Sequence, residues 1–201
     1  VLAGPVGLEA AGYKVDLPSP DKESLDDYRV GVLLDTPACK TAASLIDHLH
    51  GTVEQLARAG VQVTETGPEI DQVEFFENYL LLLRAATGVS IRDEAYAAAL
   101  SGHEAWERGE RTYRNLVDHA ARITHREWFA LHQQRERYRL QWAKFFDEFD
   151  LLLCPAAAST AFTHDHQGER PDRTIDIDGQ QEPVVDQLFW AGWSCSVYLP
   201  S

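Results

Sequence analysis

The apolar positions of the chain change their period several times, and each change predicts an element. Residues 29–34 form an aliphatic run that Pro37 follows, which predicts a buried strand. A helix is predicted next, capped by Ser44, running to about Ala59 and ended by Gly60. Its apolar stripe contains Leu45, Leu49, Val53 and Leu56.

Residues 61–65 alternate between apolar and polar side chains, as expected of a half-buried strand. Two strands separated by one helix favour a right-handed parallel crossover. Residues 29–65 therefore predict an α/β fold.

Helical periods dominate the middle of the chain. Helices are predicted from Val73 to about Thr87 and from Ile91 to about Leu100. Thr124 and Glu127 have capping-box spacing, which predicts the start of a long helix that reaches about Phe149. Its stripe of large side chains is typical of a packing face: Trp128, Leu131, Arg135, Tyr138, Trp142, Phe145 and Phe149.

The last third of the chain contains two apolar segments around a polar one. Leu151 to Cys154 is a fully apolar run stopped by Pro155, which predicts a second buried strand in the central sheet. Residues 163–186 are polar and predict a long excursion, whereas residues 188–199 form an apolar, strand-like run.

Composition and charge narrow the function classes. The chain of 201 residues is 44% hydrophobic, 25% charged and has a net charge of −14, so it is typical of a globular protein and a poor partner for nucleic acid. The longest apolar run, residues 79–83, is too short for a membrane span. Three scattered cysteines and no secretory signal predict a cytoplasmic protein with reduced thiols.

The two ends of the chain suggest that it is part of a longer one. It begins at Val1, contains no methionine and stops at Ser201 directly after an apolar run. We expect residues 1–28, rich in glycine, proline and acids, to be an entry segment, and residues 29–201 to form one α/β domain.

Few residue clusters suggest chemistry. His164-Asp165-His166, with three aspartates downstream, is the most metal-like cluster, although a solvated polar loop is the favoured interpretation. Cys154 and Cys195 are interpreted as structural thiols. The carboxylates of residues 147–150 are interpreted as solvated helix ends. We interpret four other histidines as surface or helix-edge residues: His103, His119, His125 and His132.

Several segments, in order, resemble the amidase signature family. The first segment, Leu2 to Pro5, is similar to the family's LAGPD-type segment, with Val6 in place of the acid. Phe145 to Pro155 is similar to the family's FF..YDVLLTPT stretch, with Cys154 at the usual threonine. The other three segments are Tyr28 to Asp35, Val53 to Glu65 and Gln187 to Pro200. The resemblance implies part of a mixed-sheet α/β fold with helices on both faces.

The resemblance also implies hydrolysis of amide bonds by a serine, a second serine with a cis peptide bond and a lysine, with no cofactor or metal. The glycine- and serine-rich signature has no counterpart here, so no catalytic residue is assigned and this chain alone is expected to be inactive. By resemblance, the segment that borders the substrate cavity supplies four pocket candidates: Phe189, Trp190, Trp193 and Cys195.

Ordinary core packing is an equally good interpretation of those aromatic residues. If the segment is a strand, Trp190 and Trp193 point to opposite faces, whereas in a helical turn they could share a face. We favour Trp190 as packing and Trp193 as pocket wall, because Gly192 permits a kink. The expected partners are a small amide substrate and the remainder of the amidase chain, with a homodimer left open. Two alternatives remain: a non-catalytic α/β binding or assembly module, and a metal-dependent enzyme that uses His164 and His166.

Overall fold

A parallel sheet organises the part of the chain that the computed structural model describes, residues 4–16, 19 and 21–200. Its strands are β1 (Arg29–Val32), β2 (Gln62–Glu65) and β3 (Leu151–Leu153), in the order β2-β1-β3. Val30 of the central strand pairs with Val63 on one side and Leu151 on the other. The strands predicted at residues 29–34, 61–65 and 151–154 are therefore confirmed.

The helices account for most of the remaining chain. They are α1 (Ala43–Arg58), α2 (Gln72–Gly88), α3 (Asp93–Ala98), α4 (Leu100–Glu107), α5 (Tyr113–Ala120), α6 (His125–Phe146) and α7 (Leu188–Cys195). Short 3-10 turns lie at Gly7–Ala11, Leu25–Asp27, Arg170–Asp172 and Val184–Gln187. A separate antiparallel hairpin consists of β4 (Thr174–Ile177) and β5 (Gln180–Pro183).

Helices cover both faces of the sheet, as predicted. On one face, Val30 and Val32 pack in a cluster with the apolar stripe of α1. On the other face, Gly31 lies under the ring of Phe145 from α6, since a Cβ atom on this glycine would be 2.6 Å from Phe145 Cζ. The alternation along β1 thus sends successive residues into two different cores.

Helix boundaries agree with the sequence at Thr124 but not at Ser44. Thr124 and Glu127 form the predicted capping box of α6. Helix α1 begins one residue before Ser44, and its first amide, that of Ala43, donates instead to Asp178 Oδ2 at 3.0 Å. The cap prediction is therefore wrong, because a carboxylate 135 residues further along the chain takes that role.

Four parts of the structure differ from the sequence prediction. Helices α4 and α5 form where none was predicted, and the polar excursion contains the β4–β5 hairpin. Its turn is Asp178-Gly179, with φ of 53° and 78°, a dipeptide typical of tight hairpin turns. The apolar run at residues 188–199 begins as helix α7 rather than a strand.

The proposed entry segment lies largely on the surface. Residues 7–16 are exposed, and a 3-10 turn at Leu25–Asp27 precedes β1. Leu2 and Ala3 of the LAGP-like segment lie outside the described residues, and the division at residue 28 stays a prediction. In the described ranges, no helix combines the length and apolar character that crossing a bilayer requires.

Candidate functional site

The carboxyl ends of β1 and β3 meet at one edge of the sheet. Residues 35–42 follow β1 and residues 154–160 follow β3. The two loops are joined where the Ala42 amide donates to the carbonyl of the fully buried Ala158 at 2.8 Å. Ligands of parallel α/β sheets bind outside the carboxyl ends of the strands. This carboxyl edge is therefore the candidate functional site.

Helix α7 and the turn before it are bound to both loops of the carboxyl edge. The indole N–H of Trp190 donates to the hydroxyl of Thr41 at 3.2 Å, and both side chains are buried. The side-chain amide of Gln187 donates to Ser159 Oγ at 3.1 Å. The segment that the family resemblance assigns to the cavity border thus contacts the edge.

Burial at the edge disfavours the charged forms of three acidic groups. Burial, followed by the nearby Glu182 carboxylate, raises the pKa of Asp186 to about 6. Burial, with Asp186 as the next cause, raises the pKa of the Cys39 thiol to about 12, and burial alone raises that of Cys154 to about 11. Both thiols stay protonated at neutral pH, which supports a structural role and argues against a thiolate nucleophile.

The β4–β5 hairpin is fastened beside the same edge. Lys40 Nζ donates to the Ile177 carbonyl at 3.1 Å and to Gln180 Oε1 at 2.9 Å. Asp178 at the hairpin turn caps α1. Within the described residues, no lysine is hydrogen-bonded to a serine, so the edge offers groups for binding and orientation but no serine–lysine couple.

Three of the four predicted pocket residues are core residues in this chain. Phe189, Trp190 and Trp193 have exposed fractions of 0%, 2% and 1%. The ring centroid of Trp193 lies 4.8 Å from that of Phe75 on α2 and 5.3 Å from that of Trp142 on α6. The segment is helical, so the two tryptophans share one buried side, and the strand alternative with opposite faces does not hold.

Gly192 and Cys195 also differ from expectation. Gly192 is a helical residue with the ring of Tyr79 packed on it, so it permits close packing rather than a kink. Cys195 is exposed, not buried, and its thiol lies 3.8 Å from the Tyr79 hydroxyl. Whether the four residues line a substrate pocket stays a prediction.

Two pairs of histidines differ in their surroundings. His164 and His166 are exposed, and the described part of the chain contains no group of three or more potential metal ligands. His119, by contrast, is buried, stacks on Trp106, and its Nδ1 lies 3.0 Å from His103 Nδ1. The surface interpretation of His119 is wrong, because the unpredicted helix α5 packs its side chain against α4.

A parallel sheet with helices on both faces and polar groups at its carboxyl edge defines an α/β domain. A family model described as Amidase matches residues 9–187. The chain belongs to the amidase family.

One similar solved structure is a fatty acid amide hydrolase. It matches with a TM-score of 0.51 and 14% sequence identity, over 77% of this chain and 26% of that chain. The likeness shows a shared amidase-signature fold, and this chain spans about a quarter of the length of that protein. No curated protein sequence matches the chain.

Proposed function

We propose that the complete protein hydrolyses carbon–nitrogen bonds of amides and that the catalytic serines and lysine lie outside these 201 residues. The match of the amidase family model to residues 9–187 carries this proposal. The sequence contains no Ser-Ser pair and no Gly-Gly-Ser, and Lys40 is already bound to two acceptors. An activated serine needs a neighbouring base, and in the part of the chain that the structure describes no lysine is hydrogen-bonded to a serine.

The part described here contributes to the wall of the substrate pocket through α7 and the carboxyl edge. Trp190 and Gln187 fix α7 to the two loops. The buried indole N–H of Trp193 has no acceptor among the described residues, and a buried donor without a partner is unusual in a folded protein. A small amide is the proposed ligand, and a cytoplasmic location and a homodimer remain proposals.

Covalent labelling of the complete protein tests this function. A fluorophosphonate reagent reacts with an activated serine, and mass spectrometry of the digested protein locates the modified residue. We expect one modified serine outside residues 1–201 and hydrolysis of at least one class in a panel of aryl, aliphatic and amino-acid amides. A heat-denatured sample controls for labelling of unactivated serines.

A modified serine at Ser159, Ser194 or Ser196 would place the nucleophile in this chain and overturn the proposal. Loss of both labelling and amide turnover in a folded complete protein would favour the binding or assembly module instead. As a matched measurement, the isolated 201-residue chain is expected to show no turnover, because positioned nucleophile, base and oxyanion donors supply the rate.

A further inference from the structure

Helices α4 and α5 meet through two histidine side chains that the amide-hydrolysis proposal does not use. His103 on α4 is half-buried and His119 on α5 is buried, and we call the two side chains the histidine pair. Their Nδ1 atoms lie 3.0 Å apart, and the ring planes differ by only 10°. The indole of Trp106 stacks on the His119 ring, with 5.6 Å between the centroids. The two helices are therefore joined by a direct imidazole–imidazole hydrogen bond.

This hydrogen bond restricts the number of protons that the histidine pair can carry. A neutral imidazole has one nitrogen that donates and one that accepts, whereas an imidazolium has two donors. Because the two Nδ1 atoms are in contact, one ring donates and the other accepts through an unprotonated Nδ1. One added proton can go to Nε2 of the donating ring without breaking the contact. A second added proton must go to the accepting Nδ1, and two N–H groups then face each other.

The charged groups that face the histidine pair do not reverse this effect. Glu107 on α4 places a carboxylate oxygen 3.5 Å from His119 Nδ1, but its side chain is 58% exposed, so water screens its attraction for a protonated ring. Glu127 on α6 is engaged in the capping box of its own helix. The positive charge of Arg111, which follows α4, opposes protonation of His119.

The titrating groups on α5 have opposite effects as the pH falls. Burial, followed by the charge of His103, lowers the pKa of His119, so the stability from His119 is present at neutral pH and is lost as the pH falls below about 6.5. Burial raises the pKa of Asp118, which packs against Gly102 of α4. Protonation of that carboxyl group therefore favours the folded state in acid. A loosening of α4 and α5 in acid is thus the effect expected of the histidine pair and not of Asp118.

We propose that the histidine pair is a pH-sensitive contact, which holds α4 against α5 at neutral pH and releases it in mild acid. The closed pair binds one added proton and the open pair binds two, so opening takes up one proton. With the reference histidine pKa of about 6.5 in the open state, the opening equilibrium constant rises about tenfold between about pH 7.5 and about pH 5.5.

Hydrogen–deuterium exchange of the complete protein, followed by mass spectrometry of its peptides, tests the proposal. Exchange is measured at the two pH values and corrected for the intrinsic rate. We expect the protection of the α4 and α5 amides to fall about tenfold in acid, while that of the α1 amides stays unchanged. His103→Asn keeps a neutral amide near the position of Nδ1 but cannot titrate, so its α4 and α5 amides should be equally protected at both pH values. His48→Asn is the matched control, because His48 is exposed on α1, and it should keep the pH dependence of the parent.

Exchange of the imidazole C2 hydrogen gives a second measurement in the unaltered protein. We expect the His119 ring to titrate at a lower pH than free histidine. Titration of His119 at the pH of free histidine would overturn the proposal, as would protection of α4 and α5 that does not depend on pH. An equal fall in α1, or a fall that persists in His103→Asn, would do the same. Exchange, not turnover, is measured, so failure here leaves the proposed amidase function untouched.

Discussion

Replacing Gly192 by alanine should destabilise the protein, although alanine is the better helix former. Gly192 is a buried residue of α7, and a Cβ atom there would lie 2.5 Å from Tyr79 Cδ1 and 3.0 Å from Tyr79 Cγ. The Tyr79 ring packs against the core, so the alanine methyl forces the ring or one of the two helices to shift.

The magnitude follows from two opposing effects. Overpacking a well-packed site costs about 1–3 kcal/mol, whereas a glycine-to-alanine change inside a helix gains about 1 kcal/mol. The net loss for Gly192→Ala is therefore about 1 kcal/mol. Gly51, inside α1, has no atom within 4 Å of the corresponding Cβ position, so Gly51→Ala should stabilise by up to about 1 kcal/mol. The difference between the two variants isolates the overpacking.

Urea unfolding followed by circular dichroism measures both variants and the double variant Gly192→Ala, Tyr79→Ala. Tyr79→Ala alone is destabilising, but in its background Gly192→Ala should become as favourable as Gly51→Ala. The reasoning is refuted if Gly192→Ala stabilises the protein as much as Gly51→Ala does. It is also refuted if the penalty persists after the Tyr79 ring has been removed.

Three further predictions use other contacts. Thr124→Ala removes the cap of α6 and should cost about 1 kcal/mol in urea unfolding, whereas Thr124→Ser should cost little. Asp178→Ala removes the acceptor of the Ala43 amide and places alanine at a positive φ, so it should lower stability by about 1–2 kcal/mol, whereas Asp178→Asn should be tolerated. Because burial raises the Asp186 pKa to about 6 from 3.8, the unfolded chain loses this proton first, and the stability from this group is lost as pH rises from about 4 to 6. Asp186→Asn should therefore gain roughly 1–3 kcal/mol relative to the parent between those pH values, and equal pH profiles for the two proteins would contradict this.

The elements that the sequence predicts well are those whose period reflects burial. The run at residues 29–34 is apolar because β1 is covered on both faces, and the capping box at Thr124 is a local signal that depends on no distant residue. The carboxyl edge was less accessible to prediction. Its contacts, such as Trp190 with Thr41, join residues 149 positions apart. Such long-range contacts produce no periodic pattern of apolar residues in the sequence.

The errors have identifiable physical causes. An apolar run of about ten residues fits a buried helix as well as a buried strand. Residues 188–195 form a helix, in which Trp193 packs against Phe75 and Trp142. The Asp178-Gly179 turn did carry a hairpin signal, which the polar surroundings obscured. His119 appeared solitary because its partner, His103, lies on a different helix.

The strand order has a consequence for synthesis on the ribosome. Strands β1 and β2 and the intervening α1 emerge together, but the other edge of β1 pairs with β3, and the backbone amide of Arg29 donates to Asp150, 121 residues later. Until that segment leaves the exit tunnel, one edge of the central strand has no neighbour, and open strand edges promote association between chains. The nascent chain should therefore depend on chaperones over this interval, and a pause in translation before residue 150 should increase aggregation more than a pause placed after β3 has left the tunnel.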